Sequence, residues 1–481
     1  MGGGKVSDGI CLRCKGARLL CGKSRCPFLV KNSILKSIAP DRYKKIARDK
    51  IIFGSSPPGI FVGRFGYPNV NIGPMIPIND DLVEKVVLLN PRKMKDRKDT
   101  SILDISEYWY GKSQDDIITY RSALARSNFK LNVYSPSKIT GYKTLSEVEE
   151  KLSVNQQRIL DASQELAMSK ISVDTESTIS KLKPQLTTDP EAPPLGPIFT
   201  PETIRVIDNI KVNPRVDYSV NDTDLRATEA IFTHLYKPNL KLVDEDIHSQ
   251  KLVLGTEIVR LLSSGLLGAK KQRKIVPTRW AIAAVDDITS KHLAKEIRYY
   301  PEINQYYTFQ GKYLDNNFVI MLIPGPWSYE MMECWDANTI WTQSVPGVQN
   351  AQDFDRAPII MQDHEMEYGR TKYASNITGA YYAARREIVE FLYLNHKCAR
   401  AIVFREIGQG YLTPLGVWVI RETIRETLSD FGADNVKTHE TLHDALTRVR
   451  DDMKIPLKYW LQTSKFLKEI RSQRTLNEWM K

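Results

Sequence analysis

Four cysteines within the first twenty-six residues, Cys11, Cys14, Cys21 and Cys26, constrain this chain more than any other feature. Their spacing, C-x2-C-x6-C-x4-C, is that of a zinc site in which two short knuckles close over one ion. Zinc takes four thiolates at tetrahedral positions, and a C-x2-C turn aims two of them at one point. Four protein ligands leave no open coordination position, so the expected Zn²⁺ is structural. A disulfide cluster in a secreted domain is the competing reading. The start Met-Gly-Gly-Gly-Lys has no apolar stretch of the kind that directs secretion, which argues against it. Only Cys334 and Cys398 remain, without local base or metal partners, and both read as core thiols.

Charge is concentrated around those cysteines. Residues 1–50 hold thirteen Lys and Arg against Asp8, Asp41 and Asp49, a local balance of +10 in a chain whose total is +11. The rest of the chain is therefore close to neutral. A basic surface beside a zinc module suits a polyanion, most naturally DNA, because phosphate neutralisation releases counterions whatever the sequence.

The other end carries a second motif. Gln473, Leu476, Trp479 and Met480 match Q-x-x-h-x-x-a-φ, with h and φ apolar and a aromatic. This resembles the peptide by which repair and replication proteins bind the sliding clamp PCNA. One helical turn sets Leu476, Trp479 and Met480 on one side as an apolar plug, with Gln473 as the polar handle. The alternative is that Leu476 and Trp479 dock on their own domain.

Between these ends, 481 residues give room for two or three domains, and an apolar content of 42% is ordinary for a folded body. No run reaches the length of a membrane span, so an intracellular, cytoplasmic and chromosome-associated location without membrane contact is expected. Short strands are expected around Phe61–Val62 and Val70–Ile72, where glycines and prolines punctuate an apolar stretch. Helix is expected over 145–183, 222–236, 251–265, 370–395 and 416–430, and strand at 306–309, 318–323 and 401–404. The Pro-rich tract ending at Pro201 reads as linker or loop. Without regular βαβ alternation the class is α+β: a large mixed globular body with an N-terminal four-cysteine zinc finger and a C-terminal peptide tail. The expected division is 1–30 zinc module, 31–183 N-terminal part of the body, 184–203 linker or loop, 204–465 C-terminal part, and 466–481 tail.

Four stretches together carry a resemblance. They are the cysteine-rich start, Gly59-Ile-Phe-Val-Gly-Arg-Phe-Gly-Tyr-Pro-Asn-Val-Asn-Ile-Gly-Pro74, Tyr373-Ala-Ser-Asn-Ile-Thr-Gly-Ala-Tyr-Tyr-Ala-Ala-Arg385, and the terminal motif. The chain resembles, end to end, the Nre family of archaeal DNA repair proteins. The resemblance implies zinc on Cys11, Cys14, Cys21 and Cys26, a role in the DNA damage response, and clamp binding through Gln473–Met480. It implies no particular catalytic activity.

Three constellations in the body bear on chemistry. Arg64 and Tyr67, among glycines, form a candidate nucleotide or DNA site with Arg64 forking onto phosphate; the alternative is a tight turn whose glycines serve geometry. Asp363, His364, Glu365 and Glu367, followed by Arg370 and Tyr373, present metal-ligand chemistry or, if they open a helix, acids that favour its dipole. His439-Glu440-Thr441-Leu442-His443 spells H-E-x-x-H, yet sits on a charged, solvent-facing pattern unlike a buried catalytic helix. Two functions stay open at this stage. One is a clamp-tethered DNA-binding repair factor. The other is a repair enzyme, a nuclease or a nucleotidyl/ADP-ribosyl-type transferase, with a cleft built from residues 59–74 and 363–385.

Overall fold

The computed structural model describes Cys26, Leu29, Ser33 and residues 40–78, 103–135, 154–169, 172–183, 196–207, 247–268, 273–335, 358–411, 415–428, 431 and 436–472. Cys11, Cys14, Cys21, the helix expected at 222–236 and the motif at 473–480 lie outside these residues. The body is α+β, and its elements group into two compact units.

The first unit contains Val30–Thr188 and Pro194–Thr289. Helix α1 (Pro40–Asp49) leads into β1 (Ile51–Ser56), β2 (Ile60–Val62) and β3 (Asn69–Pro77). Then come α2 (Gln114–Ser122), β4 (Leu124–Ser127), β5 (Phe129–Asn132), α3 (Val154–Met168), β6 (Val173–Lys183), β7 (Ile198–Val206) and α4 (Ile247–Ser263). The strands form one sheet in the order β1-β6-β7-β4-β3-β2, with β5 also on β3. Only β4 and β7 run parallel. α1 packs Ile46 against Ile52, Ile76 and Phe199, while α3 packs Leu160 and Leu166 against Val62, Val70, Ile72 and Leu131.

Two expectations are corrected here. Helix over 145–183 gives way at Val173 to a strand in which Val173, Thr175, Ser177 and Ile179 are buried at period two. The buried Thr and Ser concealed that alternation from an apolar count. The end of the Pro-rich tract is likewise strand: β7 lies inside the sheet, between β6 and β4. Proline is tolerated there because Pro201 sits opposite Ile179, where the β6–β7 register shifts and a missing N–H breaks no regular ladder.

The second unit contains Ser290–Lys481. Helix α5 (Thr278–Ile297) belongs to the first unit up to Thr289 and to the second from Ser290. It is followed by β8 (Tyr306–Tyr313), β9 (Asn316–Ile323), β10 (Ser328–Trp335), β11 (Ile360–Glu365), α6 (Gly379–Leu394), β12 (Arg400–Ile407), α7 (Trp418–Thr427), β13 (Val436–His439), α8 (Leu442–Asp452), α9 (Leu457–Thr463) and α10 (Lys465–Ser472). The sheet order is β11-β10-β12-β9-β8-β13, with only β10 and β12 parallel. Alternation along β10 divides two helical layers. Tyr329 turns toward Tyr381 of α6, while Met332 and Cys334 join Val449, Trp460, Phe466 and Leu467 of α8–α10.

Two buried carboxylates fasten that second layer. Glu330 accepts from the Ser464 hydroxyl, from the Lys465 amide at 2.8 Å and from Gln362 at 2.6 Å, so it caps the start of α10 and ties in β11. Glu406 accepts from the amides of Lys454 (3.0 Å) and Ile455 (2.6 Å) between α8 and α9. Free amides before a helix are the natural partners of a buried carboxylate. Because Phe466 and Leu467 are fully buried, the boundary expected at 466 falls inside α10, whose start is packed into the core.

Candidate functional site

The segment Asp363–Tyr373 does not open a helix. Asp363, His364 and Glu365 end strand β11, where successive side chains point to opposite faces, so His364 is directed away from the two acids and lies edge-on to Phe466. Among the described residues no group of three His, Cys, Asp or Glu side chains converges as a metal site. Each of the two acids is instead bound to protein. Asp363 accepts from the amides of Asn376 and Ile377, both at 2.9 Å, and from Arg370 at 3.1 Å. Glu365 accepts from Arg385, which is 1% exposed, and from the Tyr381 hydroxyl at 3.2 Å.

Arg370 is the keystone of the loop 366–378. Its guanidinium donates to the carbonyls of Lys372 (2.7 Å), Tyr373 (3.0 Å) and His364 (3.2 Å) as well as to Asp363, and it lies 5.1 Å from the Tyr381 ring centre. Four of its five N–H groups are thereby used, leaving little for a phosphate. The loop ends on Thr378, whose φ of 63° is unusual for a β-branched residue. Asp363 fixes the two amides just before it, which holds the chain in that conformation. Arg385 continues the cluster by donating to Ser290 at 3.0 Å and lying over the rings of Tyr381 and Tyr382. Burial pushes the Tyr381 and Tyr329 phenols well above their ordinary range, so both stay protonated. From this segment Tyr373 and Tyr368 reach solvent, at 56% and 90% exposure.

Arg64 and Tyr67 belong to the first unit and occupy the turn between β2 and β3. Gly66 supplies the positive φ (85°) and the carbonyl that accepts from Asn69 at 2.9 Å. Gly59 serves packing rather than a ligand, since a Cβ there would stand 1.5 Å from a carboxylate oxygen of Asp104. Desolvation raises that carboxyl to about 6, against the opposing pull of Arg260, Arg126 and Arg121. Arg64, Phe65 and Tyr67 are exposed. The Tyr67 ring lies 5.5 Å from that of Trp280, at the start of α5, and the Tyr134 phenol beside it raises the Tyr67 hydroxyl above its ordinary range. Trp280 and Tyr134 were not singled out from sequence as site residues. For Trp280 the signal was weak, an aromatic beside Arg279 far from Tyr67 in the chain; Tyr134 meets Lys274 only through the fold.

The H-E-x-x-H letters do not form a metal helix. His439 ends β13 and shares a hydrogen bond of 2.8 Å with Thr308, while His443 is on α8, whose N-cap is Thr441. Of the basic first fifty residues, α1 is described: it anchors on Ile46 and exposes Lys44, Lys45 and Arg48.

Residues 20–342 match the family model described as Archaeal Nre, N-terminal, and residues 365–479 match Archaeal Nre, C-terminal. The chain belongs to the archaeal Nre family. It is 32% identical to the DNA repair protein NreB of Archaeoglobus fulgidus, over 98% of this chain and 100% of that protein. Similarity to the DNA repair protein NreA of the same organism is 30%, over 91% of this chain and 92% of the relative. The NreA of Haloferax volcanii is 28% identical over 87% and 86%. No solved structure matches the chain. Among the described residues no helix is long and apolar enough to cross a membrane.

If Arg370 holds the 366–378 loop, Arg370→Ala should destabilise the protein by about 2–4 kcal/mol in urea, the range for stripping a partner from a half-buried ionic network. Limited proteolysis should then cut first within 366–378. An unchanged midpoint and cleavage pattern would show that the loop is held by other means.

Proposed function

We propose that this chain is a DNA repair factor tethered to the sliding clamp PCNA. The repair role is carried by similarity along nearly the whole chain to relatives named DNA repair proteins, and the tether is supported by the terminal motif alone. DNA is held through the basic surface of residues 1–50, of which α1 presents Lys44, Lys45 and Arg48 to solvent, with Lys44 beside Asp41 and Arg48 beside Asp49. The clamp is held through Gln473, Leu476, Trp479 and Met480. This motif follows directly on α10, whose buried Phe466 and Leu467 fasten the chain to the body immediately before it.

The zinc module completes this reading. Cys11, Cys14, Cys21 and Cys26 are the donor set, of which only Cys26 lies among the described residues, where it is buried. The metal's contribution is to fold the module, since binding energy is folding energy in such sites. The catalytic alternative is not adopted, because Asp363, Glu365 and Arg370 already commit their bonding capacity to the loop and to α6.

Deleting residues 473–481 should abolish clamp binding in calorimetry while leaving the unfolding midpoint in place. Trp479→Ala alone should cost at least about 2 kcal/mol of binding, the range for a buried aromatic anchor. Clamp affinity that survives the deletion would refute the tether. For the metal, elemental analysis of protein purified without chelator should find one zinc per chain, lost in Cys14→Ser. A zinc-free wild-type chain would end that assignment.

A further inference from the structure

We propose that Phe65, Tyr67, Tyr134 and Trp280, with Arg64, Lys274 and Arg279 among them, form a stacking surface for the unpaired bases of single-stranded DNA. The proposal rests on the DNA reading above and adds a second, base-contacting surface to it. Four large aromatic side chains stand in water here: Phe65 is 79% exposed, Tyr67 47%, Trp280 44% and Tyr134 39%. Tyr67 lies against Trp280 at 5.5 Å and 48°, and the Tyr134 phenol beside it holds the Tyr67 hydroxyl above its ordinary range, so three of them are neighbours. The rings tilt against one another instead of packing face to face, so ring surface is left open.

Three segments far apart in the chain are locked together to make this surface. The Val62 amide donates to the Thr278 hydroxyl at 3.0 Å, and the Ile275 amide donates to the Val133 carbonyl at 2.8 Å. The Val133 amide in turn donates to the Pro68 carbonyl at 2.9 Å. Ile275 is buried among Ile60, Val62 and Val133, which fixes the approach to Trp280. The aromatics are therefore carried on a rigid base, which lowers the cost of ordering them on a ligand.

Charge selects the partner. Residues 59–74, 129–134 and 273–280 contain no acid; their cations Arg64, Lys130, Lys274 and Arg279 are exposed, while Arg273 is buried and donates to the Gly268 carbonyl at 2.9 Å. Arg64 lies 5.3 Å from the Phe65 ring centre and Lys274 5.0 Å from that of Tyr134. Each of these cations therefore sits beside an exposed ring. Bases stack on aromatic faces whatever their identity, while cations beside them track phosphate. A duplex hides its base faces in its own stack and offers only phosphate, so the rings discriminate in favour of unpaired bases. A proline-rich peptide also docks on exposed aromatics, but gives the cations beside these rings nothing to neutralise.

The test is fluorescence anisotropy with the full chain, a labelled oligothymidine and a duplex of the same length at one low salt concentration. Trp280→Ala and Phe65→Ala should each weaken single-strand binding by about fivefold or more, the lower bound for losing a stacked base. Duplex affinity should stay unchanged, and Trp280→Phe should recover most of the loss. Phe65 is too exposed to support the fold, so Phe65→Ala carries the test if Trp280→Ala fails to fold. If wild type binds DNA and the folded variants bind the single strand equally well, the stacking surface is refuted while the DNA reading stands. An equal loss on both DNA forms also refutes it, by showing a general effect on the basic surface. Wild type that binds neither form would overturn both readings.

Discussion

The buried ion pair between Glu365 and Arg385 is the interaction on which the second unit depends. Arg385 is almost wholly removed from water, and it joins the end of β11 to the middle of α6 and to Ser290 of α5. A second pair, Glu333 with Arg405, crosses from β10 to β12 with Asn316 of β9 accepting at 2.7 Å from the same guanidinium. Charges taken out of water are tolerable only when their hydrogen bonds are made, and breaking such a pair costs about 3–5 kcal/mol. This explains why acids and arginines that resemble catalytic groups are ligated internally. They set where strand, loop and helix sit, and in the proposed reading recognition is left to surfaces and chain ends.

The boundary between the two family models also has a structural reading. The N-terminal model ends at 342 and the C-terminal one begins at 365, yet β8–β10 and β11–β13 share a single sheet. The sequence break therefore falls within one folding unit. Glu330 of β10 makes this concrete, because it caps α10 more than a hundred residues later.

Much of the body was legible in sequence wherever one face is apolar. β8, β9, β12, α4 and α7 overlap the expected spans, since their buried faces are built from Ile, Leu, Val and Phe. Legibility failed where buried positions are polar. β6 hides its alternation behind Thr175 and Ser177, and β11 was mistaken for a helix start because Asp363 and Glu365 look like dipole-favouring acids. Of the candidate site, Arg64 and Tyr67 were visible as residue types. The company of Trp280 was not, because it arises from hydrogen bonds between segments some two hundred residues apart. Glycine chemistry was half legible: Gly66 turns the chain, but that Gly59 makes room for Asp104 depends on a tertiary contact.

The central claim is that the 363–385 cluster builds the fold while other surfaces bind. Glu365→Gln separates these roles, because it removes the charge opposite Arg385 and keeps the shape. Urea unfolding and oligonucleotide binding should be measured on the same preparation, with binding recorded where the variant is still folded. The account predicts a stability loss of about 3 kcal/mol or more, as expected for a broken buried pair, with DNA affinity unchanged. Wild-type stability combined with lost DNA binding would contradict it, and would place Glu365 in a ligand site.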